Sequence, residues 1–456
     1  MALQSQAVHR RVASLPSMRS MVWNLAWPAI TEMFLQTFVQ IVSMVLVGHL
    51  GAAAVTSIGL SMQPLNAVYG VFVGAGVGAT AVVARMIGAG NPREAGRASA
   101  QAMVASVLLA GIGAVLMFAK ARAMVVWMGA EPAVVEEGTR YLLVMIPGLF
   151  FMWIQTVLTG ALRGAGDMRT PMKINILINL ISFVGNILLV FGLWRFPALG
   201  VFGAGLATTT ARVIGGILLL IPYLSGSSIL EVRFPQDLLP DRALIARVAR
   251  VGIPCACERL IVTGKGIFYA RMIAGLGSMP YAAHTIGANA ESISYLTANG
   301  FATASTTLTG QNLGAGQPGI AERSTWEAVR QGCLFVGTMG IAFIFFPEAF
   351  MRIYTKDQDV VRLGAIYLRI MGFCQVHQLV ANVLTGALRG AGDTKFVMYV
   401  SAFGGWVLRL GVTYLLLYVV HTGVVGAWWG MTADTLFMAV SSFIWFRTGR
   451  WKQVTV

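Results

Sequence analysis

Two glutamates stand four residues after a proline in this chain: Glu32 follows Pro28, and Glu258 follows Pro254. Both lie in strongly apolar stretches, where a carboxylate costs at least ~2.5–3.5 kcal/mol at the centre of a membrane. A buried carboxylate can exchange a proton or bind a monovalent cation as its surroundings change. We therefore predict Glu258 and Glu32 as ion-coupling residues, with Glu291 as a third candidate. The alternative for each is an acid satisfied by neighbouring core groups.

Neutral polar side chains recur at helical spacing near these acids. Such spacing places them on one helix face, where they line a cavity or bond neighbouring helices. On the seventh apolar segment, Lys265 lies on the face of Glu258 and is a candidate competitor for its carboxylate, and Glu291 is a second candidate partner for Lys265. The predicted substrate-cavity residues are Gln36, Gln40, Ser43, Asn175, Asn179, Lys265, Tyr269, Gln378 and Asn382.

Arg409 and Asp434 lie in the last two apolar segments, and their opposite charges predict a structural ion pair. Motifs for other chemistry are missing from the sequence. There is no GxxxxGK[ST] loop for ATP, no HExxH or CxxC metal pattern, and no hydrolase-like Ser-His-Asp spacing. We predict no enzyme activity, no metal site and no cofactor, with a proton or sodium ion as the coupling ion.

The elements that hold these residues must be membrane helices. The chain has 456 residues, of which 57% are hydrophobic and 11% charged, with a mean hydropathy of +0.73. An ordinary soluble domain carries about a quarter charged residues. Apolar blocks of helix-spanning length follow one another from end to end, so we predict an all-α integral membrane protein with twelve transmembrane helices. The net charge of +15 lies mostly in alternate short loops, which predicts both termini in the cytoplasm and excludes nucleic acid as the reason for the charge.

The sequence repeats itself at a nearly constant offset of 226 residues. The longest match is TGALRGAGD, at 159–167 and again at 385–393. Six spans per copy give two like-oriented six-helix lobes. The predicted division is a cytoplasmic leader at 1–20, an N-terminal lobe at 21–225, a flexible cytoplasmic linker at 226–245, a C-terminal lobe at 246–447 and a cytoplasmic tail at 448–456.

Two lobes that rock about a central cleft favour a transporter. The alternatives are a flippase or exporter of a lipid-linked sugar or dedicated metabolite and, from another class, a passive channel or a non-transporting scaffold. We expect small amphipathic or cationic substrates and a lipid bilayer as partners, and a monomer.

The repeated TGALRGAGD, with GAGNPREA at 88–95, VGHLG at 47–51, YAAH at 281–284 and GQNLGAGQP at 310–318, resembles the multidrug and toxic compound extrusion (MATE) family over nearly the whole chain. The resemblance implies a V-shaped pair of lobes in a bacterial inner membrane that exports cationic amphipathic drugs in exchange for sodium ions or protons. It also implies that Glu258 matches the family's acid on the seventh helix. Three positions where relatives carry an aspartate are neutral here: Ser43, Asn186 and Gln378.

Overall fold

The computed structural model describes residues 17–48, 52–127, 132–192, 197–224 and 229–455 apart from 231 and 234, without the side chains of 43–67, 132–134, 137, 222 and 224. Within these ranges the chain is helical and has no strand. A short helix, Pro347–Arg352, stands between the ninth and tenth long helices. The long helices are α1 Met18–Gly48, α2 Ala52–Gly88, α3 Pro92–Trp127, α4 Pro132–Ala165, α5 Arg169–Phe191, α6 Gly200–Leu224, α7 Arg242–Ala274, α8 Ser278–Gly314, α9 Pro318–Phe345, α10 Gln358–Ala391, α11 Thr394–Val419 and α12 Val424–Thr448.

The helices form two lobes, α1–α6 and α7–α12, so the predicted all-α fold with two six-helix halves is confirmed. Eight of the helices are long and apolar enough by composition to cross a membrane. The others, α7, α8, α10 and α12, carry more polar or charged side chains, and the charged residues predicted as sites lie mostly on these four and on α1. Polar residues at membrane depth are expected to face the bundle interior, where they find partners.

The first helix of each lobe packs against the other lobe. On one side α7 meets α2: a Cβ added at Gly74 would lie 2.6 Å from the carbonyl oxygen of Gly252. On the other side α1 meets α8, where a Cβ at Gly300 would lie 2.2 Å from the Ile30 side chain. Glycine permits this approach because it has no side chain. The two seams are repeat-related, since Gly74 and Gly300 are 226 residues apart.

The lobes are closed against each other on the side where both described chain ends lie. The Arg85 guanidinium of α2 donates to the carbonyl oxygen of Ala391 at 3.2 Å and to that of Val454 at 2.6 Å. A Cβ at Gly88 would lie 1.9 Å from the carbonyl oxygen of Gln311, so the backbones of α2 and α8 touch. We call this contact between α2 and α8 the closed seam.

The linker corrects the expectation of a flexible connection. Its described part is docked on α3: Arg93 binds both carboxylate oxygens of Asp237, and Gln101 donates to the carbonyl oxygens of Asp237 and Leu239 at 2.7 and 2.8 Å. Asp241 then caps α7 by accepting from two backbone N–H groups of its first turn. The ion pairs and the cap leave no free segment between Pro235 and the start of α7.

Candidate functional site

Glu32 of α1 lies in a polar cluster inside the N-terminal lobe. Its side chain is 7% exposed as a residue and accepts two hydrogen bonds: from the Arg163 guanidinium of α4 at 2.8 Å and from the Asn175 amide of α5 at 2.8 Å. The Asn175 amide also donates to the carbonyl oxygen of Pro171 at 3.0 Å. A buried charge is tolerated when it is paired and hydrogen-bonded, and both conditions are met here.

The C-terminal lobe builds the same cluster around Glu258 of α7, which is also 7% exposed. Arg389 of α10 donates to it at 2.6 and 3.3 Å, and Ser401 of α11 donates at 3.3 Å. In both lobes the acid stands 131 residues before its arginine and 143 residues before its neutral partner. The two clusters are therefore copies of one arrangement, with serine in place of asparagine.

The repeated TGALRGAGD motif positions each arginine by close helix packing. In α4, a Cβ at Gly160 would lie 2.3 Å from the carbonyl oxygen of Gly76, and one at Gly164 would lie 2.5 Å from that of Thr80. In α10, Gly386 and Gly390 meet α8 in the same way. Small residues four apart let two helix backbones approach closely. The arginine between them is thus held at a fixed height beside the acid of its lobe.

The N-terminal cluster is joined to the closed seam through the backbone. Thr307 of α8 donates from its hydroxyl to the carbonyl oxygen of Arg163 at 2.9 Å, and the Gln311 amide donates to that of Gly164 at 2.9 Å. The residue that binds Glu32 therefore also contacts the other lobe. Glu32 and the opposite lobe thus both bond to the turn that contains Arg163 and Gly164.

Lys265 lies away from Glu258, so it is not the competitor that the sequence suggested. Its ammonium donates to Asp434 of α12 at 2.7 Å, and Arg409 Nε lies 2.8 Å from the same carboxylate oxygen, as an ion pair without hydrogen-bond geometry. Asp434 is fully buried. The predicted pair of Arg409 and Asp434 thus includes Lys265 as well. Among the described residues, Asp434 is the one acid in ion-pair distance of Lys265.

Two glycines make room for this group of three charges. In α11, residues Phe403–Arg409 form π-helical turns. A Cβ at Gly404 would lie 2.5 Å from the Asp434 carboxylate, and one at Gly405 would lie 2.3 Å from the Lys265 side chain. Because neither residue has a side chain, α7 and α12 can both extend a charge into the space beside α11. The Lys265 ammonium can therefore reach Asp434 of α12.

Glu291 of α8 forms a separate group with Tyr367 of α10, whose hydroxyl donates to one carboxylate oxygen at 2.5 Å. The other oxygen has no hydrogen-bond partner among the described residues. The amides of Gln375 and Gln378 lie close by. Glu291 also lies apart from Lys265 within the described residues, which excludes the second partner considered for that lysine.

The remaining cavity candidates are spread over several environments. Tyr269 is buried and donates to the carbonyl oxygen of Ala427 at 2.9 Å, so its hydroxyl is occupied inside the lobe. Gln36 and Gln40 are exposed on α1, and Asn179 and Asn382 are half-buried. The side chain of Ser43 lies outside the described residues. Asn175 belongs to the Glu32 cluster, and all these residues remain predictions as substrate contacts.

Arg163, Arg389 and Ser401 are site residues that the sequence did not predict. The structure places both arginines in the last turns of α4 and α10, partly buried on the glutamates. A signal was available: each arginine lies in the longest repeated segment, at the same distance along the chain from its glutamate. Ser401 is the repeat mate of Asn175.

Comparison with known proteins gives this arrangement a family. The MatE family model matches residues 28–188 and 254–415. These matches begin at Pro28 and Pro254, the prolines of the two acid-bearing helices. The chain belongs to the MatE family. It is a membrane transporter and not an enzyme, as the sequence predicted.

The curated relatives match almost the full chain. A probable multidrug resistance protein NorM from Thermotoga maritima is 31% identical over 97% of this chain and 95% of its own length. An uncharacterized transporter, YisQ, from Bacillus subtilis is 22% identical over 95% of each chain. Two solved structures share this fold: a MOP superfamily transporter from Pyrococcus furiosus and an outward-facing multidrug resistance MATE family transporter. Each is 21% identical in sequence, covers 96% of this chain and 98% of its own chain, and has a TM-score of 0.88.

Proposed function

We propose that this MatE chain is a secondary active exporter of cationic or amphipathic drugs and toxic compounds, driven by a proton or sodium gradient. The observation that carries the proposal is the duplicated cluster of glutamate, arginine and amide or hydroxyl, one copy of which bonds to the closed seam. In this proposal the protein lies in the bacterial inner membrane with both termini in the cytoplasm, as the distribution of basic residues in the loops predicts. One chain holds both clusters, so a monomer is sufficient.

The coupling step is a competition for two carboxylates. A proton at Glu32 or Glu258 neutralises the carboxylate that holds Arg163 or Arg389, and a sodium ion there competes with the arginine for it. The bonds from Thr307 and Gln311 to the Arg163 turn are then weakened, and the lobes part at the closed seam. An ion shifts this equilibrium only by its difference in affinity for the two states.

Access alternates when α1 and α7 bend. Each of these helices contains a proline four residues before its acid, and proline removes one backbone hydrogen bond from the helix. Since the linker is docked and each first helix packs on the opposite lobe, Pro28 and Pro254 are the points at which the bundle yields. Drug and ion leave on opposite sides because they favour different states.

The test uses purified protein in liposomes loaded with a fluorescent cationic dye, with proton and sodium gradients imposed separately. Glu258→Gln and Glu32→Gln are compared with Glu348→Gln, which neutralises an exposed glutamate paired with Arg352 on the short helix Pro347–Arg352. We expect dye movement driven by one gradient, reduced at least about tenfold in the first two variants and kept in the third. Movement without a gradient would indicate a channel. Gradient-driven movement that survives both substitutions would overturn the coupling role.

A further inference from the structure

Arg212 stands at the midpoint of α6, a helix apolar enough to cross a membrane. No carboxylate of the described residues lies in ion-pair distance of its guanidinium. An arginine at this depth is costly and is expected to pair or to face a water-filled cavity. Its side chain is partly exposed. None of the contacts in the proposed coupling mechanism uses it.

The neighbours of Arg212 on α6 define where it points. Gly205, Thr209 and Gly216 share its face at helical spacing, and all three pack against α4: a Cβ at Gly205 would lie 3.1 Å from the Tyr141 ring, Thr209 donates to the carbonyl oxygen of Val144 at 2.8 Å, and a Cβ at Gly216 would lie 2.6 Å from Phe151. The guanidinium is within electrostatic range of the Tyr141 and Tyr69 hydroxyls. Within the described residues the Tyr141 hydroxyl makes no hydrogen bond.

In the C-terminal lobe, the tyrosine that corresponds to Tyr141 binds an acid. Tyr141 is the repeat mate of Tyr367, and Tyr367 donates to the carboxylate of Glu291 at 2.5 Å. The repeat mate of Glu291 is Leu65, so the N-terminal lobe keeps the tyrosine and lacks the acid. It has instead a cation, Arg212, where the C-terminal lobe has Thr435 when GVFGA at 200–204 is matched to GVVGA at 423–427. A tyrosine hydroxyl and an unpaired guanidinium together are complementary to a carboxylate.

The charged residues near the midpoints of α6 and α12 also differ in whether they have an oppositely charged partner. In α12 the charge near the midpoint is Asp434, which is compensated by both Lys265 and Arg409. The repeat mates of those two cations are Val39 and Phe183. The C-terminal lobe thus supplies counter-ions for Asp434, whereas Arg212 has no acid in ion-pair distance among the described residues.

We infer that Arg212 and Tyr141 form a site for the carboxylate of an amphipathic substrate, so that this transporter selects zwitterionic or anionic amphipaths over simple cations. The substrate supplies the acid that Glu291 supplies in the other lobe. The inference rests on the proposed export function for its physiological meaning, but binding at the site is independent of the driving ion.

The test is a binding titration with a matched pair of dyes, a rhodamine with a free carboxylate and its methyl ester. Purified protein in lipid nanodiscs is titrated with each dye, using Arg212→Gln, Arg212→Lys, Tyr141→Phe and, as the control, Arg140→Gln at an exposed ion pair with Glu136. We expect the native protein to bind the carboxylate dye at least about tenfold more tightly than the ester, and Arg212→Gln to abolish that preference while leaving ester binding unchanged. Arg212→Lys should keep part of the preference, and Tyr141→Phe should reduce it.

The inference is overturned if the native protein prefers the ester, if neither dye binds, or if Arg212→Gln keeps the preference. A thermal melt of each variant checks folding, and a loss of ester binding in Arg212→Gln would identify a structural role. Liposome efflux of the same dyes separates the two proposals. Gradient-driven export of the ester alone would support the proposed export function and contradict the carboxylate site. Arg212-dependent binding without any gradient-driven export would support the carboxylate site and contradict the proposed export function.

Discussion

The carbonyl oxygen of Arg163 accepts a hydrogen bond of 2.9 Å from Thr307 of the opposite lobe. The guanidinium of the same arginine binds Glu32 at 2.8 Å. One residue therefore bonds to the buried acid of its own lobe with its side chain and to the other lobe with its backbone. Glu32 and Thr307 are thereby connected through a single residue.

Thr307→Val should weaken the closed seam, because it removes one hydrogen bond across the lobes and keeps the volume. A buried bond of this kind contributes about 0.5–1.5 kcal/mol, a two- to twelvefold shift in the open fraction. The reporter is a cysteine at Ala84, which is fully buried where α2 faces α8, in a background without the native cysteines. Its maleimide labelling should accelerate in Thr307→Val. Thr303→Val, which loses only a bond within α8, should label as the parent does.

Gly88→Ala should prevent full closure, because the new Cβ would lie 1.9 Å from a backbone oxygen of α8. Overpacking of this kind typically costs about 1–3 kcal/mol. Labelling of the Ala84 cysteine should become fast, and export should fall. Gly111→Ala is the matched control, since its Cβ would meet no described atom within 4 Å. Equal labelling of the two alanine variants would contradict the assigned contact.

Arg389→Gln should destabilise the protein more than the double variant Glu258→Gln/Arg389→Gln. The single change leaves a buried carboxylate unpaired, which costs about 3–5 kcal/mol, whereas removing both charges relieves that cost. Unfolding midpoints measured by intrinsic fluorescence in nanodiscs provide the comparison. Gradient-driven efflux should stay low in both variants. If the double variant were the less stable of the two, the pair would not carry the charge balance assigned to it.

Acid should loosen the linker. Burial of Asp237 disfavours its charged form, but hydrogen bonds from Arg93 and from the Arg233 backbone outweigh burial and lower its pKa. Because the pKa is lower in the folded protein than in the unfolded chain, the contribution to stability is present at neutral pH and is lost as the pH falls through the folded-state pKa. Unfolding midpoints measured against pH should therefore decline less steeply on the acid side in Asp237→Asn. Asp359→Asn, at an exposed site on α10, should follow the native curve.

The sequence predicted the features that depend on pattern. Apolar blocks and the repeat gave the helices and the two lobes, and the proline-glutamate spacing located both acids that the structure places in matching clusters. The partners of those acids were harder to predict. An arginine near a helix end looks the same in sequence whether it faces the cytoplasm or turns back onto a buried carboxylate, and only the packing of α4 on α2 decides which.

The pairing of Lys265 could not be predicted for a related reason. Its spacing from Glu258 along α7 is correct for a shared face, and the rise of a helix separates the two groups by about 10 Å. The Asp434 carboxylate attracts the lysine, and Gly404 and Gly405 in a π-helical segment of another helix leave the room for this contact. The π-helical segment lies in α11, so the spacing of residues in α7 does not reveal it.

The paired clusters also carry information about ancestry. A gene that doubles begins with identical halves, so a contact found in both lobes was either inherited and kept or acquired twice. The glutamate–arginine pairs are matched in position and partner, as a contact inherited from the undoubled ancestor would be. The group around Asp434 and the lone Arg212 each survive in one half only. The two halves thus share the acid cluster and differ at their centres, where the C-terminal lobe alone has the group of Asp434, Lys265 and Arg409 and the N-terminal lobe alone has Arg212.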